Sequence, residues 1–234
     1  MSEDSKEAQR HEMVRRQVQR RGVEDESVLE ALRTVPREAF VPESYRGRAY
    51  GDSPLPIGEG QTISQPYIVA LMADLADLEP DDRVLEIGAG SGYGAAVLGQ
   101  IAGQVFSVER IPELVERARE TIDSLGYDNV EIVEGDGTLG LQEESPFDAI
   151  IVTASGPEIP ETYRRQLAIG GSIVMPTGAR DGGQRLVVCT RTGEEEWKTR
   201  DEGFVRFVPL IGEEGWSEGR ETGASRPGAD EPGF

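Results

Sequence analysis

The residues able to do chemistry are a few carboxylates and a run of glycines, set at the ends of apolar segments. Gly88, Gly90 and Gly92 follow the apolar stretch Val84-Leu85-Glu86-Ile87, and Tyr93 to Leu98 returns to helix-forming residues. A strand that ends in glycines and turns straight into a helix aims free N–H groups and a helix dipole at a ligand. Nothing beyond Cα holds the ligand away from the backbone. That pattern predicts a nucleotide-type ligand at the carboxyl end of a first strand. Glu109 closes the next apolar run, and Asp136 lies in Gly135-Asp136-Gly137 after a third. Carboxylates there can accept hydrogen bonds from ribose hydroxyls or lie where a base edge is read. Taken one at a time, Glu109 and Asp136 are equally two solvated acids in a very acidic protein; their shared place at strand ends favours a binding role.

Other chemistries are excluded by what is missing. The one histidine, His11, sits in a polar N-terminal stretch, so Ser-His-Asp and Cys-His catalysis would need it to reach a distant site. The one cysteine, Cys189, excludes an internal disulfide and a Cys-rich metal site, and fits a reducing cytoplasm. No metal is expected. The N-terminus lacks the apolar core of a signal peptide, and no apolar run is long enough to span a membrane.

The groups above must be held by alternating strands and helices. Strands are predicted at 84–87, 105–108, 129–137 (including a turn), 147–155 and 170–178. Helices are predicted at 68–78, 93–102, from Pro112 to about residue 125 with Pro112 in the first turn, and at 159–167. Residues 186–190 and 205–210 read as a closing antiparallel pair joined through an acidic turn. This rhythm predicts an α/β fold: a doubly wound, mostly parallel Rossmann-like sheet with an N-terminal helical extension. In that extension a helix is expected from Met13 to a stop at Gly22, and a second opened by Asp25 or Glu26. Residues 1–12 are expected to be disordered, and so is the tail at 217–234, which is too poor in apolar residues to pack. Residues 45–67 form a long Gly- and Pro-rich stretch, either a functional loop or a plain linker.

Charge narrows the partners. The chain has 234 residues and a net charge of −20, with acids spread along its length; 22 of its 24 basic residues are arginine. A distributed acidic surface nearly free of lysine resembles proteins adapted to concentrated salt. Its sign excludes nucleic acid as a non-specific partner.

The glycine turn then selects a ligand. The dinucleotide fingerprint can be placed on Gly90, Gly92 and Ala95 only by starting two residues after the strand ends. In the better frame, Gly88-Ala89-Gly90-Ser91-Gly92, the next position is Tyr93 where glycine or alanine is required. Glu86 is moreover a poor neighbour for a pyrophosphate. S-adenosylmethionine has no phosphate and carries a cationic sulfonium, which tolerates acids. VLEIGAGSG with an acid ending the next strand resembles the class I S-adenosylmethionine-dependent methyltransferases. The Asn/Asp-Pro-Pro-Tyr/Phe motif of many N-methylating enzymes is absent after the fourth strand, where the chain reads Val152-Thr153-Ala154-Ser155-Gly156.

The flanks resemble one family of that class. VPREAFVPESYRGRAYGDSPLPIGEGQTISQPYIVALM, with its signature GQTISQP, is similar to the protein-L-isoaspartate O-methyltransferases. VERIPELVERA, VEGDG, FDAIIVTA, QLAIGGSIVMPTG and VRFVPL follow in that family's order. The resemblance runs from about Met13 to Leu210. It implies methylation of the free α-carboxylate of isoaspartyl residues in damaged proteins and peptides, by a cytoplasmic monomer. Within one domain, 13–216, it makes 13–67 the part covering substrate and 68–216 the cofactor-binding core. It further implies that Ser64 is the active-site serine and that Gln61, Thr62, Ile63 and Ser64 lie between cofactor and substrate. Glu86, Gly88, Gly90, Gly92, Tyr93, Glu109, Asp136 and Gly137 would then line the cofactor pocket. Ser64 also suits a helix N-cap. Two positions depart from the family: Tyr67 stands where many members have histidine, and Ile211-Gly212 where some relatives reach the cofactor through threonine. Two rivals are a methyltransferase of this fold acting on a small molecule or RNA, and a non-catalytic module that binds S-adenosylmethionine.

Overall fold

The structure is a computed structural model, and it describes residues 3–219. From residue 220 onward, the tail expected to be disordered lies outside the described residues. In chain order the elements are α1 (Glu3–Met13), α2 (Glu26–Thr34), β1 (Leu55–Gly58), β2 (Gln61–Ile63) and α3 (Pro66–Ala76). The sheet unit follows as β3 (Arg83–Ile87), α4 (Tyr93–Gly99), β4 (Gln104–Glu109), α5 (Pro112–Leu125) and β5 (Val130–Glu134). It is completed by β6 (Phe147–Val152), α6 (Glu161–Gln166), β7 (Leu167–Ala179), β8 (Gly182–Arg191) and β9 (Trp197–Val205).

Seven strands make one sheet in the order β5-β4-β3-β6-β7-β8-β9. β5 through β7 pair in parallel, and β8 and β9 add on antiparallel. The central strands are buried on both faces, which is why they read as mostly apolar runs rather than alternating ones. On one face Val84, Val105 and Ile151 pack with α2 to α5; on the other Leu85, Phe106 and Ile150 pack with Tyr163 of α6. The strand order reverses at β3, so a crevice opens at the carboxyl ends of β3, β4 and β6. The glycine turn leaves β3 at that switch point.

Four sequence expectations are corrected. The chain is already helical at Glu3, not frayed to residue 12. Side-chain bonds tie α1 down: Arg10 donates to the Arg33 carbonyl, and Lys6 pairs with buried Glu38 at 3.6 Å. Such long-range anchors have no periodicity to betray them. Gly22 does end this segment, with φ +96°, and Asp25 does cap α2 by accepting from the N–H groups of Ser27 and Val28. The 45–67 stretch is not structureless: it holds a 3₁₀ turn at Glu43–Arg48 and the β1–β2 hairpin. Leu55, Ile57 and Ile63 are buried there, an alternation masked by intervening Pro and Gly. The antiparallel partner of β8 is Trp197–Val205, not residues 205–210. β9 is an exposed edge strand, so its composition is polar and carries no apolar signal. Finally, α3 begins at Pro66 with Gln65 as its N-cap, so Ser64 is not the capping residue.

Candidate active site

Gly88 leaves β3 with φ +96°, a backbone conformation that strains any residue with a Cβ. A Cβ here would also lie 2.4 Å from Thr153 Oγ1. Thr153 backs the turn: its N–H donates to the Ile87 carbonyl at 2.9 Å, and its hydroxyl reaches the Gly88 carbonyl at 2.7 Å. From β4, the Val108 carbonyl accepts from Gly88 N–H at 2.8 Å. The turn is therefore built by both neighbours of β3.

Glu109 ends β4 and is 6% exposed. Its Oε1 accepts from the N–H groups of Arg110 and Ile111 at 2.9 and 3.0 Å, and Oε2 accepts from Gly90 N–H at 2.9 Å. These three donors lock the carboxylate beside the turn while Oε2 keeps acceptor capacity for a ligand hydroxyl. Glu86 is 1% exposed, on the floor of the same cleft. Burial pushes its carboxyl up to about 8, and the Ser107 hydroxyl and Ala95 N–H bond it without reversing that shift. Near neutral pH Glu86 therefore holds its proton. Gly94 makes room for it, since a Cβ there would sit 2.1 Å from Glu86 Oε1.

Gln61, Thr62, Ile63 and Ser64 approach from the opposite wall. They line one cleft of about 240 Å³ together with Glu86, Gly88, Gly90, Tyr93, Glu109 and Gly137. Ile63 is packed in the core, Thr62 is exposed, and the Ser64 hydroxyl makes no hydrogen bond to any described residue. Tyr93 is 1% exposed and meets Phe40 edge-on at 5.6 Å. Two predicted residues are placed otherwise. Gly92 turns toward Ala118 and Ile122 of α5 instead of lining the cleft. Asp136 lines a neighbouring recess, where Oδ1 accepts from Thr138 and Oδ2 accepts from Glu213 N–H at 2.9 Å. The segment after Leu210 folds over Asp136 so closely that a Cβ on Gly212 would lie 2.0 Å from its Oδ1.

Thr153, Arg110, Ile111 and the strap 208–211 also line the cleft, and of these the sequence singles out only Ile211, as a departure from the family. Ser155 holds the strap by donating its N–H to the Val208 carbonyl at 2.8 Å and accepting from Leu210 N–H at 2.9 Å. The one sequence signal for Thr153 is its place directly after β6, at the carboxyl end of a strand beside the switch point.

The donor set suits S-adenosylmethionine. Two acids line the cleft, and its one arginine, Arg110, is paired with Glu218. A pyrophosphate would meet uncompensated acid, whereas a sulfonium cation and ribose hydroxyls would not. A doubly wound sheet with such a turn at its switch point defines a class I S-adenosylmethionine-dependent methyltransferase. Within that class, the protein-L-isoaspartate(D-aspartate) O-methyltransferase family model matches residues 8–215. A Rhodopseudomonas palustris (strain HaA2) protein named protein-L-isoaspartate O-methyltransferase 1 is 54% identical, covering 96% of this chain and 90% of its own. The Methanothermobacter thermautotrophicus protein-L-isoaspartate O-methyltransferase is 48% identical over 89% of this chain and 97% of its own. A solved protein-L-isoaspartate O-methyltransferase superposes with TM-score 0.81 at 33% identity, covering 88% of this chain and 67% of that one. A Plasmodium falciparum structure described as a member of the same family, in complex with S-adenosyl-L-homocysteine, gives TM-score 0.74 at 27% identity, over 86% of this chain and 98% of that one. The chain belongs to the protein-L-isoaspartate(D-aspartate) O-methyltransferase family and is an S-adenosylmethionine-dependent enzyme of protein repair.

Proposed function

We propose that the Gln61–Ser64 segment orients the free α-carboxylate of an L-isoaspartyl residue for methylation, with Ser64 as the residue that touches it. The observation carrying this is the Ser64 hydroxyl, without a hydrogen-bond partner among the described residues and in the same cleft as the glycine turn. The substrate carboxylate has an ordinary pKa of about 3.9 and is ionised at neutral pH, so no general base is needed. S-adenosylmethionine supplies an electrophilic methyl on a cationic sulfur. The protein's part is orientation and exclusion of water. Ser64 and Thr62 hydroxyls and nearby backbone N–H groups donate to the carboxylate. Ile57 and Ile63 make the hairpin wall apolar, and Glu109 takes ribose hydroxyls. Glu86, protonated, leaves the cleft less hostile to an incoming anion than a charged acid at that position would.

The substrates are isoaspartyl-containing proteins and peptides, met by a cytoplasmic monomer without nucleic-acid or membrane partners. The net charge of −20 supports the absence of nucleic acid. No helix among the described residues is long and apolar enough to cross a membrane. The test is methyl transfer from labelled S-adenosylmethionine to matched aspartyl and isoaspartyl peptides, at low and at high salt. Labelling of the isoaspartyl peptide alone is expected; equal labelling of both, or of neither, sinks the reading. Ser64→Ala should lower kcat by about 10- to 100-fold. S-adenosylhomocysteine binding, measured by calorimetry, should stay as in the wild type.

A further inference from the structure

Arg37 is the one cation among the fully buried side chains of the described residues, at 0% exposure. No carboxylate bonds it. Nε donates to the Ala49 carbonyl at 2.8 Å, and Nη2 donates to the Ser64 carbonyl at 2.7 Å. Its guanidinium lies over the Tyr93 ring, 4.7 Å from the centroid. Nη1 and the Tyr93 hydroxyl are both buried, and beyond each other neither has a hydrogen-bond partner among the described residues. A guanidinium buried with no counter-ion is expensive, and nothing in simple packing requires it there. What it does is join three separate pieces of chain. One is the connector at Ala49, another the segment ending in Ser64, and the third the first residue of α4, where the glycine turn ends.

We propose that Arg37 is a positioning residue for methyl transfer: its planar fork fixes the Ser64 carbonyl, and so the Ser64 hydroxyl, against the helix that carries the glycine turn. The inference rests on the reading of Ser64 given above. Small errors in such placement are costly, because the reacting oxygen must lie in line with the methyl and its leaving sulfur. The fork also explains arginine rather than lysine. Two donors at fixed angles reach two carbonyls at once, while a single ammonium on a flexible stem does not reproduce that geometry.

The test compares Arg37→Gln, Arg37→Lys, Ser64→Ala and the double variant Arg37→Gln/Ser64→Ala. Each is measured by thermal melting, calorimetric titration with S-adenosylhomocysteine, and kcat and KM on an isoaspartyl peptide. Both Arg37 variants are expected to bind S-adenosylhomocysteine within about twofold of wild type and to lose kcat by about 10- to 100-fold. In the Ser64→Ala background, Arg37→Gln should cost no more than about a further twofold, because the group it positions is gone. Wild-type kcat in a folded Arg37 variant overturns the proposal. So does a loss of equal size in both backgrounds, and so does failure of both Arg37 variants to fold, which would make the residue purely structural. If Ser64→Ala itself keeps wild-type turnover, the reading of Ser64 fails instead.

Discussion

The two walls of the cleft are built in opposite ways. The cofactor wall is contiguous chain: β3, the glycine turn and α4 follow one another, and β4 and β6 lie beside them in register. The wall proposed to hold substrate is a short hairpin and an irregular segment held by distant side chains. Arg37 reaches Ser64 across 27 residues, Arg117 on α5 reaches the Ile57 carbonyl across 60, and Gln65 reaches the Asp52 carbonyl across 13. A wall made of backbone ladders tolerates surface change but not a change of backbone conformation. A wall hung on side chains is open to adjustment at each anchor.

Gly88→Val attacks the first wall where it is least forgiving. The new side chain meets Thr153 and must adopt φ +96°. We expect a loss of about 3 kcal/mol in denaturant melts. S-adenosylhomocysteine binding should be abolished in whatever remains folded. Near-normal binding would mean that the turn is not the cofactor's seat.

Glu86→Gln acts on stability rather than on the shape of the turn, with a definite sign. Glu86 titrates at about 8 when folded but near the ordinary carboxylate value when unfolded, so between those values the folded state binds the extra proton. Stability contributed by this group is therefore full at low pH and declines as pH rises toward 8, by at most about 1.4 kcal/mol per pH unit. Glu86→Gln should remove that slope, most visibly as a higher Tm than wild type near pH 8. Parallel Tm-against-pH curves for the two proteins would show that Glu86 is ionised in the fold.

Arg117→Ala tests the second wall at an anchor that is half-exposed. The bond to Ile57 and the 3.9 Å pairing with Glu59 are lost, at about 0.5–1 kcal/mol of stability. The expected readout is a rise of about two- to fivefold in KM for isoaspartyl peptide. Affinity for S-adenosylhomocysteine should change less than that KM. The reverse pattern would mean that the hairpin serves the cofactor wall.

Legibility in the sequence follows the same division. Gly88, Glu86 and Glu109 were legible because strand, turn and helix are consecutive, so position along the chain is position in space. Gly92 and Asp136 read as pocket residues on the same logic, but the neighbours that engage them come from elsewhere. Gly92 packs on α5, and Asp136 accepts from Glu213, 77 residues further on. Thr153 looked like any residue after a strand. Arg37, in Val-Pro-Arg-Glu, has the composition of a surface turn, and nothing local says that a charge is buried there.

By itself the sequence determined the doubly wound sheet, the ligand class at the end of β3 and, through GQTISQP, the family. Each rests on local periodicity, local backbone demand or an ordered set of motifs, all of which are properties of the chain read in one dimension. Only the tertiary structure decided that the 45–67 stretch is a hairpin wall, that Glu86 keeps its proton, and that Arg37 ties Ser64 to α4. Those depend on burial and on hydrogen bonds between groups far apart in sequence, and both come into being when the chain folds.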